Sequence, residues 1–141
     1  MEYEKKMKHL EFVQGVITRM SNNSFMLKGW AVTLVAGIFV LAGKETDKQY
    51  FLVAYIPIII FWLLDSYYLL QERLYRSLYD AVRNTNESDI NFSLRASIKD
   101  FGNEKNCFGK CFFSITEIGF YLPLAIVCGG IILITHYLPC V

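Results

Sequence analysis

Three long stretches that are almost free of charge constrain this chain more than any other feature of its sequence. Each contains a single charged side chain: Lys28 in residues 25–43, Asp65 in residues 50–70 and Glu117 in residues 112–138. Roughly 17–25 helical residues cross the ~30 Å hydrocarbon core of a bilayer. Because only 19% of the chain is charged and 54% is hydrophobic, few polar side chains remain to cover three such helices in water. The sequence predicts an all-α integral membrane protein with three transmembrane helices, the alternative being a small soluble bundle with very apolar core helices.

Cationic side chains in the connecting segments set the predicted orientation, because Lys and Arg are retained on the cytoplasmic side. Residues 1–28 and 71–111 hold twelve Lys and Arg, whereas the turn at residues 44–49 holds two and the tail after residue 138 holds none. We therefore expect the N-terminus inside and the C-terminus outside. The first apolar stretch follows a segment with both acidic and basic groups, so we expect it to stay as a helix rather than be cleaved as a signal.

Residues 1–24 have the periodicity of an amphipathic helix. Apolar side chains recur there at intervals of three and four residues, at Leu10, Val13, Ile17 and Met20. Such a helix either lies on the membrane surface or packs against another helix. The polar residues 21–24 predict a cap or a kink before the first span.

The second span is expected to continue as a helix into the cytoplasm, because no Gly or Pro follows Asp65 until past residue 84. Leu74, Leu78 and Val82 share one side of this continuation. With the apolar side of residues 1–24, they form a predicted cytoplasmic assembly face that binds a partner or makes an oligomer. A polar loop and one short amphipathic helix around Leu94, Ile98 and Phe101 follow, ended by Gly102.

Four segments result from these patterns. They are a cytoplasmic or interfacial helix at residues 1–24, a transmembrane hairpin at 25–70, a cytoplasmic helical extension and loop at 71–111, and the third span with a short outer tail at 112–141. The tight turn at residues 44–49 makes the first two spans antiparallel.

The charges inside the spans are predicted to meet. Lys28 lies 15 residues before Gly43 and Asp65 lies 15 residues after Tyr50, so both lie about 22 Å from the outer boundary. An unpartnered charge at that depth costs several kcal/mol, which favours a Lys28–Asp65 pair. Glu117 enters from the same side near this level and is able to compete for Lys28. The alternative is that these charges only mark the cytoplasmic interface.

Small residues and a proline indicate further sites in the spans. Gly29, Thr33 and Gly37 recur at four-residue steps, which is typical of a helix-packing face within the chain or between subunits. The third span contains Pro123, Gly129 and Gly130, where a kink or a gate is expected if the helix bends. A plain packing helix is the alternative for that span.

Catalytic and metal chemistry are not expected. The sequence has no nucleotide-binding glycine loop, G-x-S-x-G elbow or His-Glu-x-x-His helix, and its two histidines fall on opposite sides of the predicted membrane. On the predicted cytoplasmic side, His9 is the only further candidate ligand beside Cys107 and Cys111, and three ligands are too few for a structural zinc site. No cofactor is expected. The net charge of +1 gives no reason to expect direct binding of nucleic acid.

The order of these segments resembles the SLATT-like membrane effectors of bacterial anti-phage defence systems. The resemblance covers residues 1–84: a cytoplasmic helix, a hairpin formed by residues 25–43 and 50–70, and a helical continuation through residues 71–76. The third span departs from that two-span pattern. The resemblance implies a homo-oligomer in lipid of the bacterial inner membrane that permeabilises or depolarises it when a cytoplasmic sensor protein or signal molecule acts. The alternative hypothesis is a non-pore adaptor that anchors a cytoplasmic partner.

Overall fold

The computed structural model describes residues 2–43, 48–102 and 106–137. Along these residues lie α1 (Glu2–Ala42), a 3-10 segment (Lys48–Ala54), α2 (Tyr55–Asn84), a 3-10 turn (Glu87–Asp89), α3 (Ile98–Phe101), α4 (Phe108–Phe112) and α5 (Ile115–Tyr137). Helix makes up 87% of the structure, and the described residues contain no strand, so the all-α prediction is confirmed. Residues 44–47 of the predicted turn, Asn103 of the predicted helix end and most of the predicted outer tail, including Cys140, lie outside the described residues.

Three helical stretches are long and apolar enough to cross a membrane. They are Tyr3–Ala42, Phe51–Asn84 and Ile115–Ile134. In their most apolar windows only 17–22% of the residues are buried inside the protein. Most of the apolar surface of these windows therefore has to be covered by something other than this chain's own fold.

The predicted helix cap at residues 21–24 is wrong, because α1 continues without interruption from Glu2 to Ala42. The alternative, a kink within the helix, stays a prediction. Ser and Asn are weak helix formers, but in a helix interior each lowers helix stability by less than ~1 kcal/mol relative to Ala. Neither Pro nor Gly occurs among those four residues. The N-terminal helix and the first span are thus one helix.

The other two spans also begin at different residues from those expected. The α-helical part of the second span starts at Tyr55, which places Pro57 in the first turn, where its missing N–H is not needed. The helix then runs through to Asn84, in agreement with the predicted continuation. The third span starts at Ile115 rather than residue 112, after the short helix α4. The helix expected around Leu94 is confined to Ile98–Phe101, where the Ser97 hydroxyl accepts a hydrogen bond from the Lys99 amide.

Two compact units make up the chain. The charged unit comprises Met1–Ser24 and Tyr67–Cys111, and the apolar unit comprises Phe25–Ser66 and Phe112–Val141. In the charged unit, one buried cluster is formed by Leu10, Val13, Ile17, Leu78 and Val82. The Lys6 ammonium donates to the carbonyls of Arg83 and Thr85, at 3.2 and 2.8 Å, and so satisfies free acceptors at the C-terminus of α2.

The apolar unit has its own core. Its buried members are Ala31, Val35, Ala54, Ile58, Tyr121 and Cys128. The Trp62 ring stacks on the rings of Phe112 and Tyr121, with centroids 4.5 and 5.8 Å apart, and its indole N–H donates to the Phe112 carbonyl. These contacts join α2 to the last residue of α4 and to α5, and they fix the surroundings of the buried charges.

Candidate functional site

Three charged side chains meet inside the apolar unit. The Lys28 Nζ donates to Asp65 Oδ2 and lies 3.2 Å from Glu117 Oε1. Asp65 and Glu117 are fully buried, whereas the Lys28 side chain is 15% exposed. The structure thus brings together one residue from each of α1, α2 and α5, the three that sequence analysis singled out.

Aromatic rings enclose this charge cluster, which is defined as Lys28, Asp65 and Glu117. The Tyr121 hydroxyl donates to Asp65 Oδ2 at 3.1 Å. The Lys28 ammonium lies 5.8 Å from the centroid of the Phe120 ring and 5.9 Å from that of Tyr121, within cation–π range. The cluster is therefore held by hydrogen bonds and ring contacts in a setting from which water is largely excluded.

The start of α5 positions Glu117. The Ser114 hydroxyl accepts a hydrogen bond from the Glu117 amide at 3.3 Å, as in the first half of a capping box. In a complete capping box the glutamate side chain reaches back to the backbone of the cap residue. Here the Glu117 carboxylate contacts Lys28 instead, and its place in the first turn of α5 is favourable for a negative charge.

Two carboxylate oxygens of the cluster are left without a partner. Asp65 Oδ1 and Glu117 Oε2 are buried, and neither has a hydrogen-bond partner among the described residues. A buried oxygen without a hydrogen bond lowers the free energy of unfolding by about 1–3 kcal/mol, and by more when it is charged. The cluster therefore retains unused capacity to accept hydrogen bonds or bind positive charge.

Sequence analysis missed the aromatic and polar residues around the cluster. Tyr121 follows Glu117 by four residues, so both lie on the same side of a helix, and that spacing was an available signal. Ser114 precedes Glu117 by three residues, which is the S-x-x-E spacing of a helix start. Trp62 had no comparable signal, because nearly every position around it is apolar.

The predicted small-residue face is exposed among the described residues. Gly29, Thr33 and Gly37 lie on the exposed side of α1, and a Cβ added at either glycine would meet nothing within 4 Å. The neighbouring positions Ala31 and Val35 make the contacts in the core instead. Packing of this face within the chain is therefore not seen among these residues, and packing between subunits stays a prediction.

The residues predicted to form a kink or gate lie within one continuous helix, since α5 includes Pro123, Gly129 and Gly130. Gly129 is a close-approach site. The Tyr55 hydroxyl, which donates to the Ala125 carbonyl at 3.2 Å, would lie 2.9 Å from a Cβ at Gly129. A packing role is therefore visible for Gly129, and the gate stays a prediction.

Most residues of the predicted cytoplasmic assembly face are buried within the charged unit. Leu10, Val13 and Ile17 pack with Leu78 and Val82 in one cluster. Leu74 is buried in a second cluster with Leu70 and Cys111, and Met20 is partly buried. Most of this face therefore packs within the charged unit, and its role in binding a partner or a second subunit stays a prediction. Of the two fates left open for residues 1–24, packing against another helix is the one observed.

A hollow of about 390 Å³ opens on the charged unit beside this seam. It is lined by Lys5, Lys8, His9, Phe12, Phe92 and Leu94. The His9 ring meets Phe92 edge-on at 5.7 Å, and its Nε2 is buried without a hydrogen-bond partner among the described residues. Burial lowers the pKa of His9, which favours the neutral ring.

Metal ligands do not gather within the described part of the chain, where no group of three or more His, Cys, Asp or Glu side chains is placed to hold an ion. Cys107 is exposed, whereas Cys111 and Cys128 are buried. No protein-family model matches the sequence, and neither curated proteins nor solved structures give a match. The resemblance to SLATT-like effectors therefore stays a prediction.

Proposed function

We propose that this chain is an integral membrane protein that assembles with copies of itself and lets ions cross the membrane when a cytoplasmic signal acts on it. The buried charge cluster carries the proposal. Ionisable residues within membrane spans are expensive, and they commonly mark ion or proton pathways. A chain that needed only an anchor would gain nothing from two carboxylates and one ammonium inside its apolar unit.

The surface of the apolar unit supports a membrane location. Its exposed side chains are apolar and large, including Phe25, Ile115 and Ile126, which are 79%, 93% and 64% exposed. In water, a contiguous surface of this kind would aggregate, whereas acyl chains cover it without cost. The excess of Lys and Arg in residues 1–28 and 71–111 supports an N-terminus in the cytoplasm.

The exposed face at Gly29, Thr33 and Gly37 supports assembly. Three spans are too few to enclose an ion pathway, but identical subunits around an axis are able to line one. Small residues at four-residue steps let helix backbones approach closely in lipid. We therefore propose this face as the contact between subunits, in the bacterial inner membrane and in the role of a defence effector.

Ion leakage from reconstituted vesicles tests the proposal. We expect vesicles that contain the protein to lose a K⁺ gradient faster than empty vesicles even without the signal, because a gated protein populates its open state to a small extent. Lys28→Met and Asp65→Asn should slow the leak by about tenfold, because each removes a charged group that lines the proposed pathway. Flux of K⁺ and of protons is read by dyes inside the vesicles.

A surface ion pair provides the matched control. Arg76 donates to Glu72 at 2.8 and 2.9 Å on α2 of the charged unit, so Glu72→Gln removes a comparable charge contact outside the cluster. We expect its leak to match the wild type. Equal leakage in Lys28→Met, Asp65→Asn and the wild type would remove the cluster from the pathway, and wild-type vesicles as tight as empty ones would contradict ion passage.

The hollow in the charged unit favours the second candidate, a membrane adaptor. Its apolar floor and the exposed ring of Phe12, together with Lys5 and Lys8 at its rim, suit a partner with apolar and acidic side chains. An adaptor predicts a stoichiometric cytoplasmic partner and no leak. Absence of leakage together with a co-purifying protein lost on Phe12→Ser would favour it.

A further inference from the structure

We propose that the charge cluster binds one exchangeable proton, shared by the Asp65 and Glu117 carboxyl groups. The inference rests on the membrane location in the proposed function, but it does not depend on ion passage. It makes the cluster a protonation site as well as an ion pair.

The charge cluster needs one more positive charge to be neutral. One ammonium faces two carboxylates, so the fully ionised cluster carries a net charge of −1 in a buried site. Burying an uncompensated charge costs far more than burying a neutral carboxyl group. A single proton from the solvent makes the cluster neutral.

The unpartnered oxygens show where the proton fits. Lys28 and Tyr121 donate to Asp65 Oδ2, and Lys28 also donates to Glu117 Oε1. Asp65 Oδ1 and Glu117 Oε2 remain buried and unbonded among the described residues. A proton on either oxygen forms an O–H bond without displacing an existing donor. Because the two carboxyl groups interact strongly, the proton belongs to the pair and not to one residue.

In the described part of the apolar unit, no other group that faces the cluster supplies the missing positive charge. From α1 comes Lys28, from α2 comes Asp65 with the Ser66 hydroxyl beside it, and from α5 come Glu117 and Tyr121. The Ser66 hydroxyl donates to its own helix, at the Trp62 carbonyl, 2.7 Å away. The side chain of Lys28, which is 15% exposed, is the part of the cluster that reaches the surface, and it marks a route for proton exchange.

Neutrality of the cluster gives a rule for each variant. Glu117→Gln and Asp65→Asn leave one carboxylate opposite Lys28, so neither variant should hold a proton. Lys28→Met leaves two carboxyl groups without a cation, so both should be protonated. The double variant Lys28→Met with Glu117→Gln should hold one proton. The predicted number of bound protons falls in Glu117→Gln and Asp65→Asn but rises in Lys28→Met. A general loss of structure would change it in the same direction in all three variants.

Infrared spectroscopy of the full chain in lipid nanodiscs counts these protons. A protonated carboxyl group absorbs apart from a carboxylate, and its band shifts in D₂O. At pH 7.5 exposed Asp and Glu are ionised, because their pKa values lie near 4. We expect one carboxyl band per chain in the wild type, none in Glu117→Gln or Asp65→Asn, about twice the intensity in Lys28→Met, and a wild-type band in the Glu72→Gln control.

Three results would overturn the inference. They are the absence of the band in the wild type, a band that survives in both Glu117→Gln and Asp65→Asn, and a band that appears only when Na⁺ and K⁺ are replaced by choline. The last result would mean that an alkali cation occupies the site. Because the band is read without any gradient, a wild-type band with no leak refutes only the proposed function, and a leak without the band refutes only the proton.

Discussion

A buried charge is positioned by two quantities at the residue scale, its distance along the helix and its rotation about the helix axis. Equal counts of 15 residues from Gly43 and Tyr50 predict a common depth for Lys28 and Asp65. Rotation is harder to predict, because the stretches around both residues are apolar on every side and have no periodicity to read. The four-residue spacing places Tyr121 on the same side of α5 as Glu117, but its hydrogen bond to Asp65 and the two unpartnered oxygens depend on rotation and could not be predicted.

Gly129 and Gly130 offer a matched test of close packing in α5. A Cβ at Gly129 would lie 2.9 Å from the Tyr55 hydroxyl, whereas one at Gly130 would meet nothing within 4 Å. We expect Gly129→Ala to weaken the Tyr55–Ala125 hydrogen bond and to cost about 1 kcal/mol relative to Gly130→Ala. Thermal unfolding in detergent measures this difference. The stability difference should be smaller in a Tyr55→Phe background, which lacks the hydroxyl. Equal stability of the two alanine variants in the wild-type background would contradict the close contact between Gly129 and the Tyr55 hydroxyl.

His9 predicts a pH dependence of the charged unit. Burial lowers the pKa of His9 below its ordinary value near 6.5, so the unfolded chain binds this proton more readily than the folded one. The contribution to stability is therefore complete above about pH 6.5 and is lost as the pH falls through the folded-state value.

Unfolding midpoints at pH 7.5 and 5.5 check this dependence. The wild type should lose more stability between the two pH values than His9→Gln, whose neutral side chain has no proton to bind. An identical loss in both proteins would mean that His9 does not titrate differently on folding.

At the scale of elements, helix type and continuity were predictable and helix ends were not. The absence of Gly and Pro after Asp65 predicts a continuing helix, and α2 does continue to Asn84. Ends depend on single residues, such as Pro57 in the first turn of α2 and Ser114 at the start of α5. The polar residues 21–24 had the composition of a cap, but the hydrogen bonds of α1 satisfy their backbone without one.

Proline substitution tests the continuity of α1. Asn22 lies inside the helix, so Asn22→Pro removes a backbone hydrogen bond and should cost ~3 kcal/mol. Asn86 provides the control, because its φ of −63° is one that proline adopts and it lies outside the α-helices. Thermal unfolding should show a much lower midpoint for Asn22→Pro than for Asn86→Pro. Equal midpoints would mean that α1 is interrupted near residue 22.

At the scale of the whole molecule, two apolar faces predicted from spacing have different fates. The face formed by Leu10, Val13 and Ile17 is buried within the charged unit. The face formed by Gly29 and Gly37 is exposed on α1. Periodicity shows that a helix has an apolar or small-residue face, but it does not show whether that face meets the same chain or a copy of it.

Substitution at Gly37 predicts a loss of assembly without a loss of folding. A leucine at Gly37 has open space around it in one chain, so the monomer should keep its unfolding midpoint, while close approach of a second helix is blocked. Gly119→Leu is the control, since Gly119 is equally open but lies on α5. Size measurements in mild detergent should show a smaller particle for Gly37→Leu only.

Electron-microscopy class averages of the protein in lipid nanodiscs test the central claim most directly. We expect a closed ring of roughly four or more subunits inside the disc, with α1 at the subunit contacts and the charge cluster at membrane depth. Monomers or simple dimers in the disc, or particles that remain outside the lipid, would contradict it.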